Sequence, residues 1–266
     1  MPEPVRRAAV VVHSRPETLD AAVERLRAVA AASGVELVFG HPEEGERFDI
    51  AAVLGGDGTM LRALRRFLGT TIPAVGVNFG TVGFLTAVPE AELEEGLTRV
   101  FAGDYVLVEL ATLEAQAGSD RIDAVNDVVA ASSTLGRMVE ISLSVGGESL
   151  GTRRCDGVIC ATPSGSTAYN LSSGGPVLAW GLDAMAVTFV APHSLQARPL
   201  VLPRGREVLV RNETPDVSLT TLADGHPFSQ LAPGETMLVR LGPQRTLLAT
   251  LPETTFFTRY RRIFAG

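Results

Sequence analysis

The sequence contains no lysine, and all 23 of its basic residues are arginines. A phosphate-binding loop of the form GxxxxGK[ST] is therefore excluded, because that loop requires its lysine. Any phosphate must be held by arginine, by backbone N–H groups or through a metal ion. The net charge of −7 argues against a nucleic-acid partner, since such a surface carries an excess of basic side chains.

Long apolar runs and cysteines are also scarce. No run approaches the roughly 20 residues that cross a membrane, and residues 1–17 lack the layout of a signal peptide because their short apolar run ends in charge. We therefore expect a soluble, cytoplasmic protein with no membrane partner. The two cysteines, Cys155 and Cys160, have no histidine cluster nearby, so we expect buried free thiols and no metal site.

The first part of the chain alternates between two patterns. Short continuous apolar runs predict buried parallel strands at residues 8–12, 35–39, 50–54 and 74–77. Helical periodicity predicts helices at 16–32, directly after Gly58, and at 89–101. This alternation indicates an α/β N-terminal domain with a mainly parallel sheet, which we assign to residues 1–102.

From about Tyr105 the pattern changes to short strand-like runs separated by Gly, Asn, Asp and Pro. The predicted strands are residues 106–113, 122–130, 139–145, 157–161, 186–190, 207–210, 217–222, 237–241 and 246–251. No long helix is predicted among them. We assign residues 103–251 to a β-rich, sandwich-like C-terminal domain. We expect residues 252–266, with a helix at 254–265, to pack back on the first domain.

The stretch LGGDGT at 54–59 joins a predicted strand to a predicted helix. Glycine lets backbone N–H groups approach an anion, and the helix N-terminus adds positive potential. Gly55, Gly56 and Thr59 are therefore the candidate phosphate loop. A carboxylate repels phosphate, so Asp57 indicates a neighbouring hydroxyl or metal ion, as in a phosphoryl-transfer site. Alternatively, Asp57 only caps the helix.

Two further stretches offer polar groups beside predicted strands. A second glycine loop, at 76–85, follows the next strand and contains Asn78, and it would line the same crevice. A long loop at 162–176 is dense in hydroxyls, amides and glycines and carries Tyr169, which suits a sugar and a base. Asn126 and Asp127 interrupt a strand-like run, which predicts a bulge or a strand end there.

Together these stretches resemble the NAD kinase family. The resemblance runs in order from about Val53 to Gly225. Its motifs are GGDGT at 55–59, GVNFGTVGFLT at 76–86, NDVV at 126–129, DGVICATPSGSTAYNLSSGGP at 156–176, APHSLQARPL at 191–200 and ADG at 223–225. The GGDG motif alone also occurs in diacylglycerol-type and phosphofructokinase-type kinases, whereas the loop around Tyr169 is more specific.

The resemblance implies transfer of the γ-phosphate of ATP, or of phosphate from polyphosphate, to the 2′-hydroxyl of the adenosine ribose of NAD. By similarity Asp57 is the general base, and many relatives carry glutamine where this chain has His226. The residues implied to bind the nucleotides are Gly58, Arg62, Asn78, Asn126, Asp127, Arg137, Arg154, Asp156, Thr167, Ala168, Tyr169, Asn170, Leu171, Ser172, Ala191 and His226. The resemblance also implies Mg²⁺ or another divalent metal carried with ATP, and a homodimer or homotetramer.

Three other functions fit parts of the pattern. A lipid or sugar kinase can share the GGDG turn, but a lipid kinase needs an apolar groove or a basic membrane-facing patch, and this acidic chain has no polybasic run. A dinucleotide-binding regulator could keep the pocket without turnover. A dehydrogenase is disfavoured, because no GxGxxG fingerprint is present.

Overall fold

The computed structural model describes residues 2–12, 20–40, 46–80, 83–194 and 196–265. The chain divides into two units, the first formed by Met1–Glu109 with Thr246–Gly266 and the second by Leu110–Arg245. No helix formed by the described residues is long and apolar enough to cross a membrane.

The first half of the chain alternates strands with helices, as expected. Its elements are β1 (Arg7–Val12), α1 (Asp20–Ser33), β2 (Glu36–Phe39), β3 (Ile50–Leu54), α2 (Asp57–Arg66), β4 (Ala74–Asn78), β5 (Val88–Pro89) and α3 (Leu93–Phe101). The strand order is β2-β1-β3-β4, and each neighbouring pair is parallel. All five residues of β3 are buried, because a central parallel strand is covered on both faces.

The second half of the chain holds the second unit, whose strands pair with one another in antiparallel fashion. Its elements are β6 (Val106–Ala117), β7 (Asp120–Ala124), β8 (Asp127–Ser132), β9 (Val139–Val145), β10 (Glu148–Cys155), β11 (Gly157–Ala161), α4 (Tyr169–Ser172), β12 (Ala184–Val190), β13 (Leu200–Pro203), β14 (Glu207–Asn212), β15 (Leu219–Ala223), β16 (His226–Leu231) and β17 (Thr236–Thr250), and the chain ends with α5 (Phe256–Phe264). One sheet has the order β13-β12-β11-β8-β15-β16. The other contains β10, β9, β14 and β17, with β6 pairing β17 and β7 pairing β6.

Each unit has its own apolar core. In the first unit the core joins side chains of the parallel sheet, such as Val10 and Ala52, to Leu26 of α1 and Leu97 of α3. In the second unit, residues of both sheets share one core, which makes this unit a sandwich. The expected fold class, an α/β part with a mainly parallel sheet and a β-rich part, is confirmed.

Several boundaries differ from the sequence prediction. The helix expected at 16–32 is described from Asp20 to Ser33, and its first four expected residues lie outside the described part of the chain. The run expected at 122–130 is divided into β7 and β8, with the break at Val125–Asn126. The strands β10, β13 and β16 were not predicted. They are largely exposed, β10 and β16 carry no continuous apolar run, and the run in β13 is only three residues long.

The segments expected at 237–241 and 246–251 form one strand, β17. Gly242 and Pro243 do not interrupt it, and a Cβ at Gly242 would lie 2.7 Å from Thr112 Oγ1. Glycine therefore allows the close approach of β17 to β6 at that point. Both cysteines are free and buried, as expected, and burial raises the pKa of each thiol to about 12.

Candidate functional site

The parallel sheet of the first unit reverses its strand order between β1 and β3. From β1 the chain passes to β2 on one side, and the sheet continues through β3 and β4 on the other. The last residues of the two strands, Val12 and Leu54, are paired in register. In open α/β sheets, ligands bind outside the carboxyl ends of the strands at this reversal. The GGDG turn follows Leu54 directly and therefore lies at that position.

Backbone dominates the surface of this turn. The N-cap of α2 is Gly56, which makes no side-chain cap, and the N–H groups of Thr59 and Met60 donate to its carbonyl. A Cβ at Gly55 would overlap the side chain of Thr59, so only glycine fits there. Asp57 is the first helical residue and not the cap, so the capping interpretation of Asp57 is wrong.

The Asp57 carboxylate is held by a second segment of the first unit. Its Oδ2 accepts the backbone N–H of Phe84 at 2.7 Å, and its Oδ1 accepts that of Leu85 at 3.0 Å. A Cβ at Gly83 would overlap the carboxylate, so the glycine lets this segment approach. Two hydrogen bonds from backbone N–H groups, together with the close approach that Gly83 allows, thus set the orientation of the Asp57 side chain. Asp57 stays partly exposed.

A cleft of about 420 Å³ lies at the same end of the sheet. It is lined by Val10, Val11, Val12, Gly40, Arg62 and Arg66. Arg62 Nη2 donates to the carbonyl of Val12 at 3.4 Å, and Arg66 Nη2 donates to that of Gly40 at 2.8 Å. Burial lowers the pKa of Arg66. Two guanidinium groups therefore border a cleft beside the glycine turn, where an anionic group could bind.

The second glycine loop begins at Asn78, the last residue of β4. Its Oδ1 accepts the backbone N–H of Gly80 at 3.1 Å, which closes a turn. Thr81 and Val82, which belong to the same predicted loop, lie outside the described residues.

In the second unit, Asp224 organises the corner between β7 and β8. Its carboxylate accepts the backbone N–H groups of Val125 at 2.9 Å, Asn126 at 2.7 Å and Asp127 at 3.2 Å. Asp224 has φ of +49°, a conformation that aspartate tolerates better than most residues. The sequence prediction gave Asp224 no role, although an Asp-Gly pair between two strands is itself a turn signal.

The charge of Asp224 affects the neighbouring acid, Asp127. Asp127 is 6% exposed, and burial together with the charge of Asp224 raises the pKa of Asp127 to about 7. A proton can therefore be bound or released at Asp127 near neutral pH.

The loop after β11 is built onto the same corner. Thr162 Oγ1 donates to the carbonyl of Val125 at 2.7 Å, and Ser164 Oγ donates to Asn126 Oδ1 at 3.1 Å. A Cβ at Gly165 would overlap the backbone of Asn126. The structure thus brings two separate sequence motifs together within the second unit. The sequence prediction did not single out the bridging side chains, Thr162 and Ser164.

The residues predicted to contact a dinucleotide in this loop differ in exposure. Tyr169 is 45% exposed, Ser172 is exposed, and Thr167, Ala168 and Leu171 are partly exposed. Asn170 is fully buried. Its Nδ2 donates to the carbonyls of Ser166 and Pro176, both at 3.0 Å, and its Oδ1 accepts from Thr188 Oγ1 at 2.7 Å. The Asn170 side chain therefore braces the loop from inside.

The remaining predicted site residues lie at the surface of the second unit. Arg137 pairs with Asp216 at 2.7 Å, and Arg154 lies 3.7 Å from Glu140, with both arginines more than half exposed. Asp156, between β10 and β11, is exposed.

Two more of these residues lie at strand ends. Ala191 follows β12 with φ of +44°. His226 Nδ1 lies 2.9 Å from the carbonyl of Asp224, and because a carbonyl only accepts, Nδ1 carries the proton.

Comparison with known proteins identifies the architecture. A model of the ATP-NAD kinase N-terminal domain matches residues 9–105, and one of the C-terminal domain matches residues 125–251. The NAD kinase of Gemmatimonas aurantiaca is 42% identical over 231 residues, which cover 82% of this chain and 80% of that protein. The NAD kinase of Heliobacterium modesticaldum is 39% identical over 216 residues, which cover 79% and 76%.

The chain belongs to the NAD kinase family.

Solved structures of the NAD kinase family have the same fold. The crystal structure of an NAD kinase from Archaeoglobus fulgidus in complex with ATP has a TM-score of 0.81 and 27% identity, covering 96% of this chain and 98% of that one. The yeast NADH kinase complexed with NADH has a TM-score of 0.86 at 22% identity, covering 98% and 88%.

The activity of the NAD kinase family is phosphorylation of NAD to NADP, so the expected enzyme class is confirmed. As an ATP-dependent kinase family, it uses a divalent metal in general. Within the described residues, no group of three or more His, Cys, Asp or Glu side chains is placed to hold a metal ion.

Proposed function

We propose that Asp57 is the general base that accepts the proton of the 2′-hydroxyl of the adenosine ribose of NAD. The observation that carries this proposal is the Asp57 carboxylate, oriented by two backbone N–H groups and surrounded by bare glycine backbone. Phosphoryl transfer has a loose transition state, so positioning and charge neutralisation supply most of the rate. A correctly placed base contributes about 10²–10⁴-fold.

The donor phosphate binds on the GGDG turn. Gly56 and Gly58 offer backbone N–H groups at the N-terminus of a ten-residue helix, where the positive end of the helix favours an anion. The N–H groups of Gly55 and Thr59 already donate to the carbonyls of Val77 and Gly56, so these two residues shape the turn. Arg62, one turn into α2, lies beside the adjoining cleft and supplies positive charge. The donor is ATP, which the Archaeoglobus relative binds, or polyphosphate.

NAD binds to the second part of the chain. The exposed ring of Tyr169 offers a stacking surface for a base, and Asn126, Asp127 and the loop around Thr167 offer hydrogen bonds to a sugar. Asn170 contributes by shaping this loop, and its neighbours Ala168, Leu171 and Ser172 form the loop surface. The proposed nucleotide contacts are completed by Asn78, Arg137, Arg154, Asp156, Ala191 and His226.

In this proposal, residues 1–102 with 252–266 form the donor domain, and residues 103–251 form the NAD domain.

A divalent metal such as Mg²⁺ would be carried by the phosphates of the donor. The described residues provide no cage of three or more acidic, His or Cys ligands, and Mg²⁺ in kinases keeps several waters and binds substrate phosphates. Bound there, it would neutralise phosphate charge.

We further propose, from the family resemblance, a homodimer or homotetramer in the cytoplasm. Light scattering of the purified protein tests the number of chains.

The deciding experiment measures NADP formed by the purified protein from NAD, ATP and Mg²⁺, with an NADP-specific dehydrogenase coupled to a dye. We expect a signal that requires ATP or polyphosphate, disappears with EDTA and returns with excess Mg²⁺. Asp57→Asn should lower kcat by about 10²–10⁴-fold. It should leave NAD affinity, measured by calorimetry, within about twofold, because the base acts in the transition state.

Other outcomes assign a different role. A large loss of NAD binding in Asp57→Asn means that Asp57 holds the ligand and is not the base. NAD binding without NADP from either donor favours a dinucleotide-binding regulator. If the protein neither binds NAD nor forms NADP from it, the proposal is contradicted altogether.

A further inference from the structure

Residues Phe84, Leu85 and Thr86 of the first unit connect two groups of opposite charge. On one side, the N–H groups of Phe84 and Leu85 donate to the Asp57 carboxylate. On the other side, Nη1 of Arg259 donates to the carbonyl of Phe84 and, at 2.6 Å, to that of Thr86. The same short segment therefore binds the carboxylate through its N–H groups and the guanidinium through its carbonyls.

Arg259 is an unusual cation for a C-terminal helix. Its side chain is 4% exposed, and its Nη2 donates to Thr250 Oγ1 at 2.7 Å. Burial lowers its pKa to about 10, while the charge of Asp57 acts in the opposite direction. The guanidinium is therefore still protonated at neutral pH. A buried cation is costly unless it is well hydrogen-bonded, and here the bonds go to the segment that holds Asp57.

Aromatic packing fixes the same segment to α5. The ring of Phe84 lies 5.8 Å, between centroids, from the rings of both Phe256 and Phe264. Tyr260 packs against Phe264 at 4.9 Å. Helix α5 thus holds the segment by charge through Arg259 and by ring contacts through Phe84. A displacement of α5 would move the N–H groups that orient Asp57.

We propose that Arg259 is a positioning residue for phosphoryl transfer, which holds the segment 84–86 and thereby orients the Asp57 carboxylate toward the accepting hydroxyl. The inference rests on the proposed role of Asp57. A misplacement of about 1 Å at a reacting group can cost about 10²-fold in rate. Arg259 touches neither substrate nor the transferred phosphate in this scheme, so its loss should lower kcat and leave the KM for NAD nearly unchanged.

The test compares Arg259→Met with Arg259→Lys. Both carbonyls accept from one atom, Nη1, so a single ammonium group can donate to both, whereas methionine fills the space without donors or charge. We expect kcat to fall about 10–100-fold in Arg259→Met and only about 3–5-fold in Arg259→Lys. The KM for NAD should stay within about twofold in both variants.

Two controls separate positioning from stability. Arg261→Met removes an exposed arginine from the same helix and should keep wild-type kcat. Leu97→Ala removes a fully buried side chain of α3, outside residues 84–86 and α5, and lowers stability. Assayed below its unfolding transition, Leu97→Ala should also keep near-wild-type kcat. A similar loss of kcat in Leu97→Ala and Arg259→Met would overturn the inference, since lost stability would then explain both.

A double-mutant cycle gives the sharpest readout. If Arg259 acts through Asp57, then Asp57→Asn combined with Arg259→Met should be no slower than Asp57→Asn alone. If the loss of kcat in the double variant is instead the product of the losses in the two single variants, the inference is overturned. A folded Arg259→Met with wild-type kcat also overturns it. If Arg259→Met does not fold, Arg259→Lys enters the same cycle with a smaller expected loss. Wild-type turnover in Asp57→Asn would instead contradict the proposed function.

Discussion

Asp57 and Asp224 use their carboxylates in the same way, as acceptors for backbone N–H groups of consecutive residues. Asp57 accepts from two residues and stays partly exposed, whereas Asp224 accepts from three and is 7% exposed. A carboxylate held by several N–H groups has little freedom to rotate. This difference in exposure suits Asp57 for contact with a substrate and Asp224 for shaping the corner at Asn126.

At the residue scale, Gly83→Ala tests how closely Asp57 is held. The new Cβ would overlap the Asp57 carboxylate, so the carboxylate or the segment must move. We expect kcat to fall about tenfold or more, with NAD affinity little changed. The matched control is Gly80→Ala, because a Cβ there meets nothing within 4 Å. Equal steady-state kcat in the two variants would show that this contact does not matter for turnover.

At the scale of the element, the loop between β11 and β12 is held from inside by one side chain. Asn170 bonds to Ser166, Pro176 and Thr188, and a Cβ at Gly175 would overlap its amide. The glycine-rich turn therefore folds over Asn170. The short helix α4 is too brief to be stable alone, so its position depends on the hydrogen bonds that Asn170 makes.

Asn170→Ala should loosen the loop and weaken NAD binding about tenfold, because three hydrogen bonds to the buried amide are lost. The matched control is Asn212→Ala, since Asn212 is equally buried and bonds to Val217, Leu231 and Thr214 away from the loop. Each change should lower the free energy of unfolding by about 1–3 kcal/mol. Urea unfolding and calorimetry with NAD give the two readouts. Equal loss of NAD affinity in both variants would reject this role for Asn170.

On the scale of the whole molecule, each unit has its own apolar core. The buried charged residues in the described part of the chain are Asp127, Asp224 and Arg259. Asp127 is one of them, and its pKa of about 7 in the folded chain lies above the ordinary value of about 3.9. Between these values the folded state binds more protons than the unfolded state. The free energy of unfolding therefore decreases as pH rises from about 4 to 7, and this contribution is constant above that range.

Asp127→Asn should remove this dependence, because asparagine resembles the protonated acid and cannot ionise. At pH 8 we expect the variant to unfold at a higher urea concentration than the wild type. Its free energy of unfolding should be higher by an amount on the order of a few kcal/mol at most. At pH 5 the two midpoints should be close. An identical difference at both pH values would show that the stability effect does not come from ionisation of Asp127.

Sequence patterns identified most of the α/β part correctly because its strands are continuous apolar runs and its helices are periodic. They were less successful in the sandwich, where β10, β13 and β16 are largely exposed strands at sheet edges, and the apolar run in β13 is only three residues long. The GGDG turn and the loop around Tyr169 were also visible, because glycine and hydroxyl-rich stretches after strands have few purely structural uses.

The sequence by itself therefore determined the fold class, the family and the candidate base, since these depend on local periodicity and on motifs of a few adjacent residues. Only the tertiary structure decided which groups hold that base. Arg259 reaches Phe84 across 175 positions, and Asp224 reaches Val125 across 99. No local pattern shows that such residues are buried or which groups they bond to, because an arginine in a terminal helix or an aspartate in a turn is usually exposed. Burial and hydrogen-bond partners are properties of the folded chain.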